Sequence, residues 1–162
     1  MKSIVLIGFA AAGKSTIGKL LADKLGCNFV DCDQLLVAQQ GKSVSQLFEY
    51  GEQHFRALEN NLLATLPTQD TVIACGGGAV ENANFKLFVQ DATVVWLQID
   101  VDTCIARLGQ TARPLQDGKT ACQLVEFMQK RNDLYRQFAT ITVDANGTID
   151  QVTDQILGAL AI

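Results

Sequence analysis

The sequence predicts an α/β fold with three layers, in which a five-stranded parallel sheet lies between helices. Short apolar runs of strand length alternate with segments of helical periodicity, and this alternation is typical of parallel strands joined by helical crossovers. The chain has 162 residues, of which 48% are hydrophobic, which suits one domain with a core of ordinary size. We therefore expect a single domain over residues 1–162.

The predicted strands are apolar runs, the first of which stops at Gly8. They cover residues 3–7, 28–31, 71–74, 93–98 and 141–144, and Trp96 is expected in the core. In 14–25 the apolar residues recur on one helical face, and Gly26 follows as a C-cap. Further helices are predicted over 44–50, 52–66, 82–89, 101–108, 121–138 and 149–160. Residues 34–66 interrupt the alternation as a helical insertion, and the polar stretch 110–120 is predicted to be a lid.

The charge and cysteine content exclude several classes of protein. Thirteen basic against seventeen acidic residues give a net charge of −4, the wrong sign for a protein that binds nucleic acid or anionic lipid. The five cysteines form no metal-ligand spacing, so we expect reduced thiols. No stretch approaches the roughly 18 apolar residues of a membrane span. We expect a cytoplasmic monomer without nucleic-acid or membrane partners.

A phosphate-binding loop follows the first predicted strand. Residues 8–16 read Gly-Phe-Ala-Ala-Ala-Gly-Lys-Ser-Thr, which matches G-x-x-x-x-G-K-[ST] between a strand and a helix. In such a loop backbone N–H groups surround a phosphate, a lysine reaches the β- and γ-phosphates, and a serine can ligate Mg²⁺. The chain has no N-K-x-D segment of the guanine-specific type, so an adenine nucleotide is favoured. The predicted nucleotide-binding residues here are Gly8, Ala10, Ala11, Ala12, Gly13, Lys14, Ser15 and Thr16.

Two aspartates at the end of the second strand are candidates for acid–base and metal chemistry. Asp31 and Asp33 are spaced i, i+2, which places both carboxylates on one side of an extended chain and turns Cys32 away. One carboxylate could hold Mg²⁺ through water while the other takes a proton from an acceptor hydroxyl. Asp100 is an alternative metal ligand, although its position favours a helix N-cap. His54 is expected to face solvent.

Five sequence blocks in order resemble the shikimate kinase family over essentially the whole chain. Two are the phosphate loop and Asp31-Cys32-Asp33. The third is Gly-Glu-Gln-His-Phe-Arg-Ala-Leu-Glu at 51–59, and the fourth is the glycine triplet at 76–78. The fifth combines Arg-Pro-Leu at 113–115 with Leu-Tyr-Arg at 134–136. The resemblance implies a P-loop kinase that transfers the γ-phosphoryl group of ATP to the 3-hydroxyl of shikimate, with Mg²⁺, in aromatic amino-acid biosynthesis.

The resemblance also implies roles for individual residues. Lys14 and Ser15 would serve the phosphates and Mg²⁺, with Asp31 as the outer-sphere carboxylate and Asp33 as the base. Arg113 would belong to the lid and reach the transferring phosphoryl group. The remaining implied roles are adenine contact by Arg107, carboxylate binding by Arg56 and Arg136, orientation of Arg56 by Glu59, and contact with the substrate ring by Gly76, Gly77 and Gly78.

The arginine content agrees with these implied roles. Arginine suits a carboxylate because it offers a planar, bidentate and permanently charged donor. Four of the five arginines fall in the candidate site, and the fifth, Arg131, is assigned to the surface. The alternative for Arg56 and Glu59 is an ordinary i, i+3 pair on a helix surface.

The sequence departs from the family pattern at three positions, and it leaves two alternative functions open. Ala11 stands where the family commonly has glycine, Val37 where an acid is usual, and Gln116 where an apolar residue is common. A gluconate or nucleoside-monophosphate kinase would share the phosphate loop but would not need the arginine pair. A regulatory module that binds ATP without an acceptor is the alternative outside catalysis.

Overall fold

The computed structural model describes residues 1–108 and 120–161. It confirms the predicted α/β class, with five parallel strands in one sheet in the order β2-β3-β1-β4-β5. The strand bounds agree with the prediction to within one residue. They are β1 (Ile4–Ile7), β2 (Asn28–Asp31), β3 (Thr71–Ala74), β4 (Thr93–Gln98) and β5 (Ile141–Asp144).

Eight α-helices surround the sheet in the part of the chain that the structure describes. Most match the prediction, but within the segment 82–89 only Phe85–Phe88 is helical, and a 3₁₀ turn at Ala79–Glu81 precedes it. The helices are α1 (Lys14–Leu25), α2 (Cys32–Gln40), α3 (Val44–Phe48), α4 (Glu52–Leu63), α5 (Phe85–Phe88), α6 (Val101–Leu108), α7 (Ala121–Phe138) and α8 (Ile149–Ala159).

The central strand β1 aligns the loops that follow its neighbours. Leu6 is in register with Ala74 of β3, and Ile7 is in register with Trp96 of β4. The amide of Cys75 then donates to the Leu6 carbonyl at 3.1 Å, which extends this pairing one residue beyond β3. All four residues of β1 and Trp96 are buried, as expected for a strand inside a parallel sheet. The phosphate loop and the glycine triplet therefore leave the sheet side by side.

The end of β2 differs from the prediction of an extended Asp31-Cys32-Asp33 segment. The Asp31 carboxylate accepts a hydrogen bond from the Gln34 amide at 3.0 Å, and α2 begins at Cys32. Because this cap starts the helix at once, Asp33 lies in the first helical turn and the i, i+2 argument for an extended chain was wrong. Cys32 is fully buried, so it does turn away from solvent.

The predicted lid over 110–120 lies outside the described residues, except for Thr120. Arg113 and Gln116 fall in the same part of the chain. Thr120 begins α7 with a capping box, since its side chain accepts from the Gln123 amide while the Gln123 side chain accepts from the Thr120 amide. Among the helices described, none combines the length and the apolar content needed to cross a bilayer.

Helix α1 lies unusually close to the sheet at Gly18. A Cβ atom at this position would lie 2.6 Å from the Phe29 ring and 3.1 Å from Leu6. These neighbours belong to β2 and β1, so the missing side chain lets the helix rest on both strands. Because α1 begins at the phosphate loop, this contact also sets the position of the loop relative to the sheet.

We expect Gly18→Ala to lower the free energy of unfolding by about 1–3 kcal/mol, because the added methyl overpacks the interface between helix and sheet. Gly158→Ala is the matched control, since Gly158 is an exposed residue of α8 with no atom within 4 Å of an added Cβ. That change should raise stability by about 0.5–1 kcal/mol through helix propensity. Urea unfolding followed by circular dichroism measures both, and equal stability of Gly18→Ala and wild type would contradict the packing argument.

Candidate active site

A cavity of about 540 Å³ opens at the carboxyl edge of the sheet. It is bounded by the phosphate loop, the start of α2, one face of α4 and the segment that follows β3. Such an edge is where parallel α/β sheets bind their ligands. The cavity wall contains these residues of the predicted site: Ala10, Ala11, Gly13, Lys14, Ser15, Thr16, Asp31, Asp33, Arg56, Glu59, Gly76, Gly77, Gly78 and Arg107.

Gly8 and Ala12 support the phosphate loop from behind instead of lining the cavity, and both are buried. Gly8 has φ +150°, and a Cβ atom there would lie 2.6 Å from the Leu97 carbonyl oxygen. Gly13 adopts φ +86° immediately before α1. These two conformations turn the chain from β1 into the helix, so the helix N-terminus faces the cavity.

Lys14 and Arg107 are anchored to the loop backbone. The Lys14 Nζ donates to the carbonyl oxygens of Gly8 at 2.7 Å and Phe9 at 3.0 Å. Arg107 of α6 donates to the Ala11 carbonyl at 3.0 Å and to the Ala145 carbonyl at 3.1 Å. Ala11 itself has φ +66°, a left-handed conformation that glycine adopts more readily. The methyl group that departs from the family pattern therefore sits on a strained residue of the loop.

Ser15, in the first turn of α1, and Asp31, at the end of β2, bring two hard oxygen donors together. The Ser15 hydroxyl donates to Oδ2 of Asp31, while Oδ1 of the same carboxylate caps α2. Mg²⁺ in phosphate sites commonly takes one or two protein oxygens together with water and substrate phosphates. No cluster of three or more His, Cys, Asp or Glu residues with metal-binding geometry occurs in the described residues. The donor set fits a magnesium ion that depends on nucleotide for its other ligands.

Asp33 faces the same cavity close to a buried pair of thiols. Cys32 and Cys75 follow the paired residues at the ends of β2 and β3, and both are buried and free. A hydrogen bond with Cys75, burial, and the nearby carboxylates of Glu59 and Asp33 raise the pKa of the Cys32 thiol well above its ordinary value. The Cys32 thiol is therefore protonated.

Arg56 reaches the cavity from α4 and is held by a buried carboxylate. Its Nη1 donates to Oε2 of Glu59 at 2.8 Å, and Asn82 donates to the same oxygen at 2.8 Å. Glu59 is 0% exposed, which separates this pair from an ordinary helix-surface pair. A Cβ atom on Gly78 would overlap the Arg56 guanidinium at 2.0 Å, so the guanidinium lies directly against the glycine backbone.

Neighbouring atoms leave no room for a side chain at Gly76 or Gly78, and Gly77 is held by a hydrogen bond. A Cβ atom on Gly76 would lie 2.7 Å from Glu59 Oε1 and 3.0 Å from Asp33 Oδ1. The Tyr135 hydroxyl donates to the Gly77 carbonyl at 2.6 Å. Tyr135 is fully buried, and burial raises the pKa of its hydroxyl, so the hydroxyl stays a donor. The triplet thus forms a rigid wall of the cavity between the carboxylates and Arg56.

The structure corrects the assignment of two arginines on α7. Arg131 was expected at the surface, but it is 2% exposed and lines the cavity, so that prediction was wrong. Arg136 was expected in the site, but its side chain is 64% exposed, pairs with Asp133 at 2.9 Å and does not line the cavity. The two positions differ by five residues and therefore point in different directions around the helix.

A signal in the sequence could have identified Arg131. Leu124, Met128 and Tyr135 are buried hydrophobic residues of α7, spaced four and seven residues apart. Arg131 completes this series at i+3 from Met128 and i−4 from Tyr135, so helical periodicity assigns it to the inward face. A single charged residue on the otherwise apolar, buried face of a helix is therefore a candidate for a functional site.

The helical insertion contributes cavity residues that the sequence analysis did not predict individually. Ser43, Val44, Ser45 and Phe48 come from the start and end of α3, and Phe55 comes from α4. Phe48 and Phe55 stack with ring centroids 4.2 Å apart, which gives this wall an apolar surface.

Two other candidates stand apart from the cavity. His54 is exposed, as predicted, with its ring 5.4 Å from that of Tyr50. Asp100 accepts from the Thr103 amide at 2.8 Å and so caps α6, and this hydrogen bond lowers the pKa of its carboxyl. Neither residue lines the cavity.

Comparison with known proteins assigns the chain to a family. The family model described as shikimate kinase matches residues 10–161. A shikimate kinase of Persephonella marina is 37% identical over 165 residues, which cover 99% of both chains. A structure of shikimate kinase from Acinetobacter baumannii in complex with shikimate superposes with a TM-score of 0.94 and 32% identity, covering 99% of this chain and 93% of that one.

A more distant structure shares the fold alone. Deoxyadenosine kinase from M. mycoides with bound dATP has a TM-score of 0.66 at 16% identity, and each chain is covered completely. By contrast, the two relatives that share more than 30% identity with this chain over its whole length are both shikimate kinases. The chain therefore belongs to the shikimate kinase family.

Proposed function

We propose that the chain transfers the γ-phosphoryl group of ATP to the 3-hydroxyl of shikimate, giving ADP and shikimate 3-phosphate. One observation carries this proposal beyond family membership: a single cavity joins the phosphate loop, the Asp33 carboxylate and the guanidinium groups of Arg56 and Arg131. An acceptor for such a site needs a hydroxyl next to the phosphates and a carboxylate on its far side. Shikimate has both groups.

The nucleotide's phosphates would bind over the N-terminus of α1. The backbone amides of the loop, the helix dipole and Lys14 all favour negative charge at this position. Ser15 and Asp31 would hold Mg²⁺, whose chemistry there is neutralisation of charge on the β- and γ-phosphates. Arg107 is fixed to the loop at Ala11 and supports the nucleotide side of the cavity. Arg113 is proposed to reach the phosphoryl group from the lid.

The acceptor's carboxylate would bind between Arg56 and Arg131, on the side of the glycine triplet away from the phosphate loop. Both side chains are held by carboxylates, Arg56 by Glu59 and Arg131 by Glu81. Preoriented guanidinium groups bind a planar carboxylate with less loss of side-chain entropy than flexible lysines do. Gly76, Gly77 and Gly78 let the acceptor's ring approach the backbone closely.

Asp33 would act as the base in the transfer step. As the acceptor oxygen attacks the γ-phosphorus, its proton passes to the Asp33 carboxylate, and the bond from phosphorus to the β,γ-bridging oxygen breaks to release ADP. In such in-line displacements most of the rate acceleration comes from positioning and from neutralising charge. Lys14, at the phosphate end of the cavity, supplies positive charge where the transferring group passes.

A coupled ADP-release assay with and without shikimate tests the proposed activity. We expect ADP release that depends on both ATP and shikimate, because the hydroxyl of the acceptor and not water accepts the phosphoryl group. Gluconate and a panel of nucleoside monophosphates serve as alternative acceptors. ATP turnover that is indifferent to shikimate, faster turnover with another acceptor, or ATP binding without transfer would contradict the assignment.

Replacement of the proposed base should separate catalysis from nucleotide binding. Asp33→Asn is expected to lower kcat by about 10²-fold or more, the scale of losing a general base, while ATP affinity changes little. Asp23→Asn makes the same chemical change at an exposed position of α1 and should leave kcat at the wild-type value. Near-normal kcat in Asp33→Asn would show that another group takes the proton.

The two arginines of α7 provide a matched pair of substitutions. Arg131→Lys should raise the KM for shikimate by about tenfold or more, since a lysine ammonium cannot reproduce the planar guanidinium that pairs with Glu81 and also faces the acceptor. Arg136→Lys should leave this KM unchanged, because Arg136 is exposed and pairs with Asp133. Steady-state kinetics at saturating ATP measures both values. The reverse pattern, with only Arg136→Lys impaired, would return the carboxylate contact to Arg136.

A further inference from the structure

Glu81 contacts two of the three arginines that line the cavity, Arg56 and Arg131. It is the last residue of the 3₁₀ turn Ala79–Glu81, directly after the glycine triplet. Its Oε1 accepts from Arg131 Nε at 2.9 Å and its Oε2 from Arg131 Nη2 at 3.4 Å. The same Oε2 lies 3.8 Å from Arg56 Nη2. One carboxylate therefore contacts guanidinium groups from two different helices.

The environment of Arg131 makes this contact necessary. The Arg131 side chain is 2% exposed, whereas Glu81 is 38% exposed. A buried cation without a counter-charge is strongly unfavourable, and Glu81 is the carboxylate paired with Arg131 within the described part of the chain. The Phe127 ring, 4.6 Å from the guanidinium carbon, and the Tyr135 hydroxyl complete its surroundings.

The pairing also selects the direction in which Arg131 points. Glu81 takes the Nε and Nη2 edge of the guanidinium. Nη1 lies on the opposite side, 3.6 Å from the position of a Cβ atom on Gly77. The guanidinium is thus held with Nη1 toward the glycine triplet, the wall against which the acceptor is proposed to lie.

The last residue of this turn, Glu81, and the residue after it, Asn82, contribute to holding the two arginines. Glu81 pairs with Arg131, while Asn82 donates to Glu59, the carboxylate that holds Arg56. The distance between the two guanidinium groups therefore depends on the segment that follows the glycine triplet. The acceptor's carboxylate can bind both guanidinium groups only if the distance between them is fixed.

Resting on the proposed function, we infer that Glu81 is a positioning residue that holds Arg131, and its spacing from Arg56, for the acceptor's carboxylate. Glu81 does not itself need to contact the acceptor. Its contribution is uniform binding, which is equal in the ground state and the transition state. Loss of Glu81 should therefore raise the KM for shikimate and leave kcat and the KM for ATP close to their wild-type values.

Kinetics of Glu81→Ala, Glu81→Gln and the matched control Glu52→Ala test the inference. Glu81→Ala should raise the KM for shikimate by about tenfold, with kcat within about twofold of wild type. Glu81→Gln keeps an acceptor for Arg131 Nε and should restore the KM to within about threefold of wild type. Glu52 lies 3.5 Å from Arg56 Nη2 but is 51% exposed, and Glu52→Ala should have little effect.

A double-mutant cycle distinguishes positioning from a general effect on folding. If Glu81 acts through Arg131, Glu81→Ala should add no further increase in the KM for shikimate when Arg131 is already lysine. Additive effects, an unchanged or lowered KM in Glu81→Ala, or an equal rise in the KM for ATP would overturn the inference. Wild-type enzyme without shikimate-dependent ADP release would instead refute the proposed function.

If Glu81→Ala does not fold, Glu81→Asp tests the positioning role in its place. Glu81→Asp retains the charge that stabilises the buried guanidinium, but its carboxylate is one methylene shorter and cannot keep the same contact with Nε. We expect a severalfold higher KM for shikimate with a melting temperature near that of wild type. A wild-type KM in folded Glu81→Asp would overturn the positioning role.

Discussion

The parallel pairing of β1 with β3 is the constraint on which the site depends. Its register brings Leu6 opposite Ala74, and the chain leaves both strands as glycine-rich backbone at the same edge of the sheet. One glycine-rich segment leads into the N-terminus of α1 and the other into the 3₁₀ turn. The phosphate loop and the glycine triplet thus become neighbours through the backbone hydrogen bonds of the sheet.

Buried charge organises the second half of the site. Glu59 and Arg131 are buried. Glu59 pairs with Arg56 of the same helix, and Arg131 pairs with Glu81 of the turn after β3. Such pairs add little to net stability, but removal of one partner leaves an uncompensated buried charge. Their value lies in orientation, since a paired guanidinium has few alternative conformations. An acidic protein thereby maintains a local cluster of arginines that a small carboxylate can enter.

The sequence predicted the strands, most helices and most of the cavity wall, because these follow from local patterns. Apolar runs, glycine positions and the phosphate-loop motif depend on residues that are close along the chain. The extended reading of Asp31 to Asp33 was wrong because a cap by Asp31 starts α2 at once. The prediction placed Arg136 in the site and Arg131 at the surface, whereas Arg131 lies on the inward face of α7 and Arg136 is exposed.

What the sequence determined by itself is the fold class, the phosphate loop and the residue types available for an acceptor with a carboxylate. Only the tertiary structure decided that Arg131 and not Arg136 enters the cavity, and that Glu81 connects it with Arg56. The reason is physical: a pattern along the chain assigns a residue to a face of its own helix. Contacts between α4, α7 and the turn after β3 depend instead on how those elements pack across the sheet edge.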